Sequence, residues 1–345
     1  MLRTLRLVSA LGVILLTSQA VAEAQSDLPK ILVLATGGTI AGEQPEPGTQ
    51  GGYDIRKDVG EVVASVPEVW KYARVETEQF TNLPSTSLTP DHWLRLAKRI
   101  NTLFHERADL AGIVVTHGTS RLEETAFFLH LTVRSSRPVV VVGAQRPATG
   151  ISPDGPLNLL AAIRVAASPQ ARGKGALVVM DERILSARDT EKQYARNGGF
   201  DVGEMGVLGV VATHGVEFFY QPTRRHTAQS EFDVTTIKSL PRVDVHYSYV
   251  GADGGATNDD VKGVVVATTG FSPGERTFYE RAQKQGIVVA TTFPSGEQVV
   301  SPSSRDEPLM VAVHRLTPLH ARILLMLALT KTSDYGQIQR IFNEY

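Results

Sequence analysis

Six short runs of consecutive apolar residues, rich in valine and isoleucine, divide the chain: residues 31–36, 112–116, 138–143, 176–180, 263–268 and 287–291. None alternates polar with apolar positions, as a half-buried strand would. Unbroken runs of this length suit strands covered on both faces, as in parallel sheets. Between them the apolar period changes to that of a helix. Over 92–107, Trp93, Leu96, Ile100 and Leu103 fall on one face, and over 121–133 so do Leu122, Ala126, Leu129 and Val133. Helices are also predicted over 156–167, 276–285, 318–329 and 335–342. Strands alternating with helices give a doubly wound α/β protein.

Residues 220–240 break the alternation with Gln221-Pro222, a basic cluster from Arg224 to His226, and Gln229-Ser230. They read as a connection over 221–240 between a large N-terminal domain (28–220) and a smaller C-terminal α/β domain (241–345). The first 24 residues stand apart. Arg3 and Arg6 precede an apolar stretch from Leu7 to Leu16, and small residues follow with two A-x-A patterns at 20–24. This is the layout of a secretory signal peptide, and the stretch is shorter than the roughly 20 residues that a spanning helix needs. A periplasmic or secreted mature protein is expected.

Composition narrows the chemistry. The 345 residues are 42% apolar and 21% charged with a formal net charge of −1, so nucleic acid or an anionic membrane surface is not an expected partner. There is no cysteine, which removes thiolate catalysis and cysteine-ligated metals; the nine histidines show no metal-binding spacing. No cofactor is expected.

Four strand runs end in threonine or threonine-glycine: at Thr36, Thr116, Thr268 and Thr291. In open α/β sheets, ligands bind beyond the carboxyl ends of strands. After the first run stands Thr36-Gly37-Gly38-Thr39-Ile40-Ala41-Gly42, where paired glycines let the chain turn sharply and Thr39 presents a hydroxyl. An ordinary glycine turn explains the same pattern; a phosphate loop does not, because no Gly-Lys-Ser/Thr follows. After the second stands Thr116-His117-Gly118-Thr119-Ser120, where Thr119 or Ser120 could simply cap the next helix. After the third come Gly143-Ala144-Gln145-Arg146-Pro147 and Asp154-Gly155-Pro156.

Together these segments resemble the type II bacterial asparaginases and glutaminase-asparaginases. The resemblance is carried by TGGTIAG at 36–42, THGT with LEET at 116–125, VVVGAQRP at 140–147, DGPLNL at 154–159, ARDTEK at 187–192 and ARILLMLALT at 321–330. It implies a large flavodoxin-like N-terminal domain with an eight-to-ten-stranded mixed sheet and a smaller C-terminal parallel sheet. It implies hydrolysis of a small side-chain amide through an acyl-enzyme on Thr39, with Tyr53 beside it on a loop hinged at Gly51-Gly52. Thr119 and Lys192 would handle the proton, and Gly118 would line the substrate-binding site. Ser85 and Thr86 would hold the substrate α-carboxylate end. The Ala144 carbonyl would accept the leaving amide. A homotetramer of intimate dimers would follow, with Ser272 and Glu297 as candidates for completing a neighbour's site.

The chain also departs from the family. An aspartate normally follows THGT, where it binds the substrate ammonium and completes a Thr-Lys-Asp triad; here the position is Ser120. A neutral hydrogen bond is worth about 1 kcal/mol against roughly 1.5–3 for a charge-assisted one. Arg121 follows, where an uncharged residue is common; it reads as an exposed arginine in a first helical turn or, at the pocket edge, as a group that favours an extra anionic group on the substrate. Thr86 lacks the usual amide or acid. The departures raise two alternatives: an amidohydrolase for an amide with a modified or absent α-amine, or a weakly active or inactive amino-acid-binding homologue. A periplasmic binding protein is the remaining class, and it would need no nucleophile.

Overall fold

The computed structural model describes residues 27–47, 52–296 and 310–345; the leader over 1–24, Gly51 and Glu297 lie outside them. Among the described residues sixteen strands run in chain order: β1 (Lys30–Ala35), β2 (Gly42–Glu43), β3 (Asp54–Ile55), β4 (Arg74–Gln79), β5 (Leu110–Thr116), β6 (Val139–Val142), β7 (Ala176–Met180), β8 (Arg183–Ser186), β9 (Glu191–Lys192), β10 (Phe200–Asp201), β11 (Gly209–Ala212), β12 (Gly215–Phe218), β13 (Arg242–Tyr247), β14 (Val261–Ala267), β15 (Val288–Thr292) and β16 (Val311–Ala312). The helices are α1 (Val59–Ala64), α2 (Pro90–Glu106), α3 (Leu122–Thr132), α4 (Gly155–Ala167), α5 (Pro273–Lys284), α6 (Pro318–Ala328) and α7 (Tyr335–Glu344).

Eight strands form the large sheet in the order β12-β11-β8-β7-β6-β5-β1-β4. From β4 to β7 all neighbours are parallel; β7, β8, β11 and β12 are joined antiparallel. The parallel half therefore has the doubly wound order 2-1-3-4-5 of flavodoxin-like sheets, with its switch point between β1 and β5. Four parallel strands, β13-β14-β15-β16, form the second sheet.

All six apolar runs are strands. Ile31 to Ala35, Ile113 to Val115, Val139 to Val142 and Ala176 to Met180 are buried on both faces, as continuous hydrophobicity requires. The predicted helices are present too, with starts set by local chemistry. Thr89 forms a capping box with His92 ahead of α2, and Ser272 forms one with Glu275 ahead of α5. Ser272 Oγ also donates to the Ala252 carbonyl at 2.8 Å, so its hydroxyl is engaged in capping.

One expectation needs correction. The single apolar face assigned to residues 121–133 is too narrow. Helix α3 is buried from Leu122 through Thr132 except at Glu123, which is itself partly buried. It is enclosed by β6 and β7 on one side and α2 and α6 on others, so its polar Glu124, His130 and Thr132 are interior residues. One hydrophobic core runs from the large sheet through α3 to α6, α7 and one face of the small sheet, and a second, smaller cluster lies between the other face of that sheet and α5.

Candidate active site

The carboxyl ends of β1, β5 and β6 lie side by side and deliver three loops to one place. The loops are laced together by backbone bonds. Thr36 N donates to the Thr116 carbonyl at 3.0 Å, and His117 N donates to the Val142 carbonyl at 2.8 Å. The Thr36 hydroxyl adds a second bond to the Thr116 carbonyl at 2.9 Å.

Two glycines make this approach possible. Gly38 has φ +88°, and a Cβ there would stand 2.2 Å from the Gly118 Cα. A Cβ on Gly118 would stand 2.8 Å from Ser85 Oγ. Thus the loops bearing Thr39, Thr119 and Ser85 meet backbone to backbone, a contact that a larger side chain would break. Ser85 is buried on a 3₁₀ turn after β4; its neighbour Thr86 is exposed.

Thr39 opens a 3₁₀ turn and is buried. Its hydroxyl donates to the Tyr53 phenol oxygen at 2.7 Å. The chain returns Tyr53 to this point through the β2–β3 pair, Gly42 opposite Ile55. A Cβ on Gly42 would lie 2.5 Å from the Tyr53 ring, so the ring rests on bare backbone.

Thr119 opens the 3₁₀ turn that leads into α3. The Lys192 amine donates to its hydroxyl at 2.7 Å, across 73 residues of sequence. Lys192 sits on the short β9–β10 pair, opposite Phe200, whose ring lies 5.9 Å from the amine. Burial pulls the Lys192 pKa below its ordinary value, and Glu123 opposes that pull. The Thr119 hydroxyl also approaches Gln145 Oε1, at 3.4 Å.

Ala144 is fully buried on the third loop. Asp154 fixes the loop by accepting from Gln145 N at 2.8 Å and Arg146 N at 2.8 Å; Asn158 Nδ2 donates to the Gly143 carbonyl at 3.1 Å and to Asp154 at 3.1 Å. A Cβ on Gly155 would stand 3.3 Å from Ile40 and 3.4 Å from the Ala144 Cβ, which ties this loop to the Thr39 turn.

His117 lies at the end of β5, fully enclosed. Burial holds its pKa down at about 4, so the ring is neutral and its Nδ1 lies 2.8 Å from the Gly118 carbonyl. No group of three potential metal ligands occurs among the described residues.

The departing positions are exposed. Ser120 lies at the surface of the turn. Arg121 is 3.3 Å from Glu124 Oε1, so its guanidinium is engaged with a buried carboxylate. A cleft of about 390 Å³ beside Ser85 and Thr86 is lined also by Arg121, Glu124 and Arg322.

Sequence reasoning singled out the hydroxyls and the lysine but gave no role to the groups that hold them. Glu123 accepts the Lys192 backbone N–H, and Asp154 anchors the Ala144 loop. Both stood in the LEET and DGPLNL segments. Their partners lie 69 and 9 residues away, and a motif does not print its partner.

Residues 30–224 match the family model described as "Asparaginase, N-terminal", and residues 242–342 match "Glutaminase/Asparaginase C-terminal domain". The chain is 43% identical to "L-asparaginase 2" of Bacillus subtilis (strain 168), over 95% of this chain and 90% of that protein. It is 38% identical to "Glutaminase-asparaginase" of Pseudomonas fluorescens biotype A, over 94% and 92%. The fold matches the crystal structure of a probable cytoplasmic L-asparaginase from Campylobacter jejuni, with a TM-score of 0.86, 37% identity and coverage of 92% of this chain and 100% of that one.

Proposed function

Because the chain belongs to the asparaginase/glutaminase family, we propose that it is an amidohydrolase that releases ammonia from the side-chain amide of asparagine and glutamine through an acyl-enzyme on Thr39. The observation that carries this reading is the lysine-held hydroxyl of Thr119, 2.7 Å from the Lys192 amine, on the strand end that adjoins the Thr39 loop.

In this reading Thr39 Oγ1 attacks the amide carbon. Its proton leaves along the hydrogen bond to Tyr53 and is delivered to the nitrogen, which departs as ammonia. A hydroxyl needs such a neighbour, because it is a poor nucleophile at its own pKa. Backbone N–H groups near Thr39 and Thr119 stabilise the tetrahedral oxyanion. Water then attacks the ester and passes its proton to Thr119. Thr119 in turn gives its own to Lys192, which burial makes easier to keep neutral, and the tetrahedral intermediate collapses with cleavage of its bond to Thr39 Oγ1, which takes a proton back through Tyr53 as the acid product leaves and Lys192 returns its proton to solvent. Ser85, Thr86, Gly118 and Ser120 line the substrate's far end, and the Ala144 carbonyl receives the amide N–H.

Export, directed by the leader, and assembly as a tetramer of intimate dimers complete the proposal. The described residues contain no helix long and apolar enough to cross a membrane. Trapping with a slow substrate followed by peptide mass analysis tests the nucleophile. An acyl group found on any side chain other than Thr39 removes this mechanism.

A further inference from the structure

Lys192 stands on a two-residue strand, an element too short to hold a side chain by itself. The carboxylate of Glu123, from the first turn of α3, accepts the backbone N–H of Lys192. Helix α3 is interior to the fold, so this acceptor is fixed in space. Glu123 and Thr119 lie on one continuous turn, Thr119–Arg121 running into α3. The same short segment therefore grips the lysine twice: the carboxylate holds its backbone and the Thr119 hydroxyl meets its amine.

The charges agree with the geometry. Burial pulls the Lys192 amine down and pushes the Glu123 carboxyl up, so each is disfavoured as an ion; their mutual attraction opposes both shifts. Glu124 and Arg121, on the same helix and turn, act on Glu123 in opposite senses. From α6, the buried His320 has its pKa pushed down to about 3 by burial and carries no charge. Ser120, where the family carries an acid, contributes none.

We propose that Glu123 is the positioning residue for Lys192 in this chain: its partly buried carboxylate clamps the lysine backbone and so presents the amine to the Thr119 hydroxyl, with no acid at position 120 to share the task. This rests on the reading of Thr119 and Lys192 given above.

The test is the pH dependence of kcat/KM for ammonia release from asparagine. It compares wild type, Glu123→Gln, Lys192→Met, the two together, and Glu123→Gln with Ser120→Asp. Glutamine is the same size as glutamate and keeps an acceptor for the Lys192 N–H, so the fold is retained and the charge alone is lost. Without that charge the amine is less basic. The acidic limb of the profile moves to lower pH by about half to one unit, and kcat falls about fivefold with KM within twofold. In the Lys192→Met background the Glu123 change has no further effect on kcat, because both act through one amine. Ser120→Asp returns the limb toward its wild-type position.

The proposal is overturned if Glu123→Gln leaves limb and kcat unchanged, if its effect adds in full to that of Lys192→Met, or if Ser120→Asp does not move the limb back. A Lys192→Met enzyme with wild-type rate and limb has a different meaning. It removes the proton role of Thr119 and Lys192 itself.

Discussion

Thr39, a residue only 5% exposed, donates its hydroxyl to the phenol oxygen of Tyr53, a residue 41% exposed, at 2.7 Å. The proposed nucleophile, buried in a 3₁₀ turn, is thus paired with a group at the surface. Their substitutions are expected to separate. Thr39→Ala abolishes ammonia release, by more than about 10³-fold, since no other hydroxyl takes its place. Tyr53→Phe keeps the ring on Gly42 and removes one hydrogen bond. It lowers kcat about 10- to 100-fold and leaves the melting temperature within a few degrees. Equal rates for Thr39→Ala and wild type would falsify the assignment.

Gly38 is the position least able to change. Alanine there places a methyl group 2.2 Å from the Gly118 Cα at φ +88°. Either the Thr39 loop or the Thr119 loop must give way. Gly38→Ala is expected to lose about 2–4 kcal/mol of stability in urea unfolding and at least 10²-fold in kcat. A variant that unfolds at the wild-type urea concentration and turns over normally shows that the two loops are free to part.

Asp154 is expected to act on substrate binding at one remove. Asp154→Ala leaves the amides of Gln145 and Arg146 and the Asn158 side chain without their shared acceptor. The cost is about 2–4 kcal/mol, with KM raised severalfold because the Ala144 carbonyl drifts. Asp154→Asn keeps part of the acceptor set and costs about half as much. Unfolding midpoints and KM for the two variants decide this; wild-type values for Asp154→Ala reject the anchor.

Acid sensitivity follows from three enclosed imidazoles. Burial lowers the pKa of His117 to about 4 and of His320 to about 3, and holds His130 well below its usual value. An unfolded histidine titrates near 6.5. The unfolded state therefore takes up protons first as pH falls. The stabilising contribution is intact above pH 6.5 and declines as pH falls toward 4. Each of His117 and His320 is expected to contribute about 2–3 kcal/mol to the loss between pH 7 and 4.5. His320 packs 4.6 Å from the Phe127 ring, so His320→Phe should fit and flatten the decline. Urea unfolding of both proteins across that range tests it, and parallel declines exclude His320 as a source.

The sequence told most where a single segment contains its own cause. Runs such as Val139 to Val142 read as buried strands because both faces are apolar, and the glycine-threonine corners after β1 and β5 read as ligand-facing turns. It told less where the cause lies elsewhere in the chain. Strand β4, Arg-Val-Glu-Thr-Glu-Gln, is polar because it is the sheet edge, and its pairing with β1 is invisible locally. The β7–β8 hairpin turns at Asp181 and Glu182, both at positive φ, where asparagine and glycine are the usual signal. The burial of α3 on all sides depends on α6, nearly two hundred residues later. For the same reason the sequence named Lys192 but not the carboxylate beneath it.

The enclosure of α3 by elements from both ends of the chain means that the two halves form one thermodynamic unit. Its Leu122, Phe127 and Leu129 belong to the same core as Leu324 and Leu325 of α6 and Phe342 of α7. Removing the second half would strip apolar cover from the helix whose leading turn carries Thr119. Unfolding in urea is expected to lose the Thr119 corner and the carboxyl-terminal helices together, and separate transitions for the two would show that the shared core does not couple them.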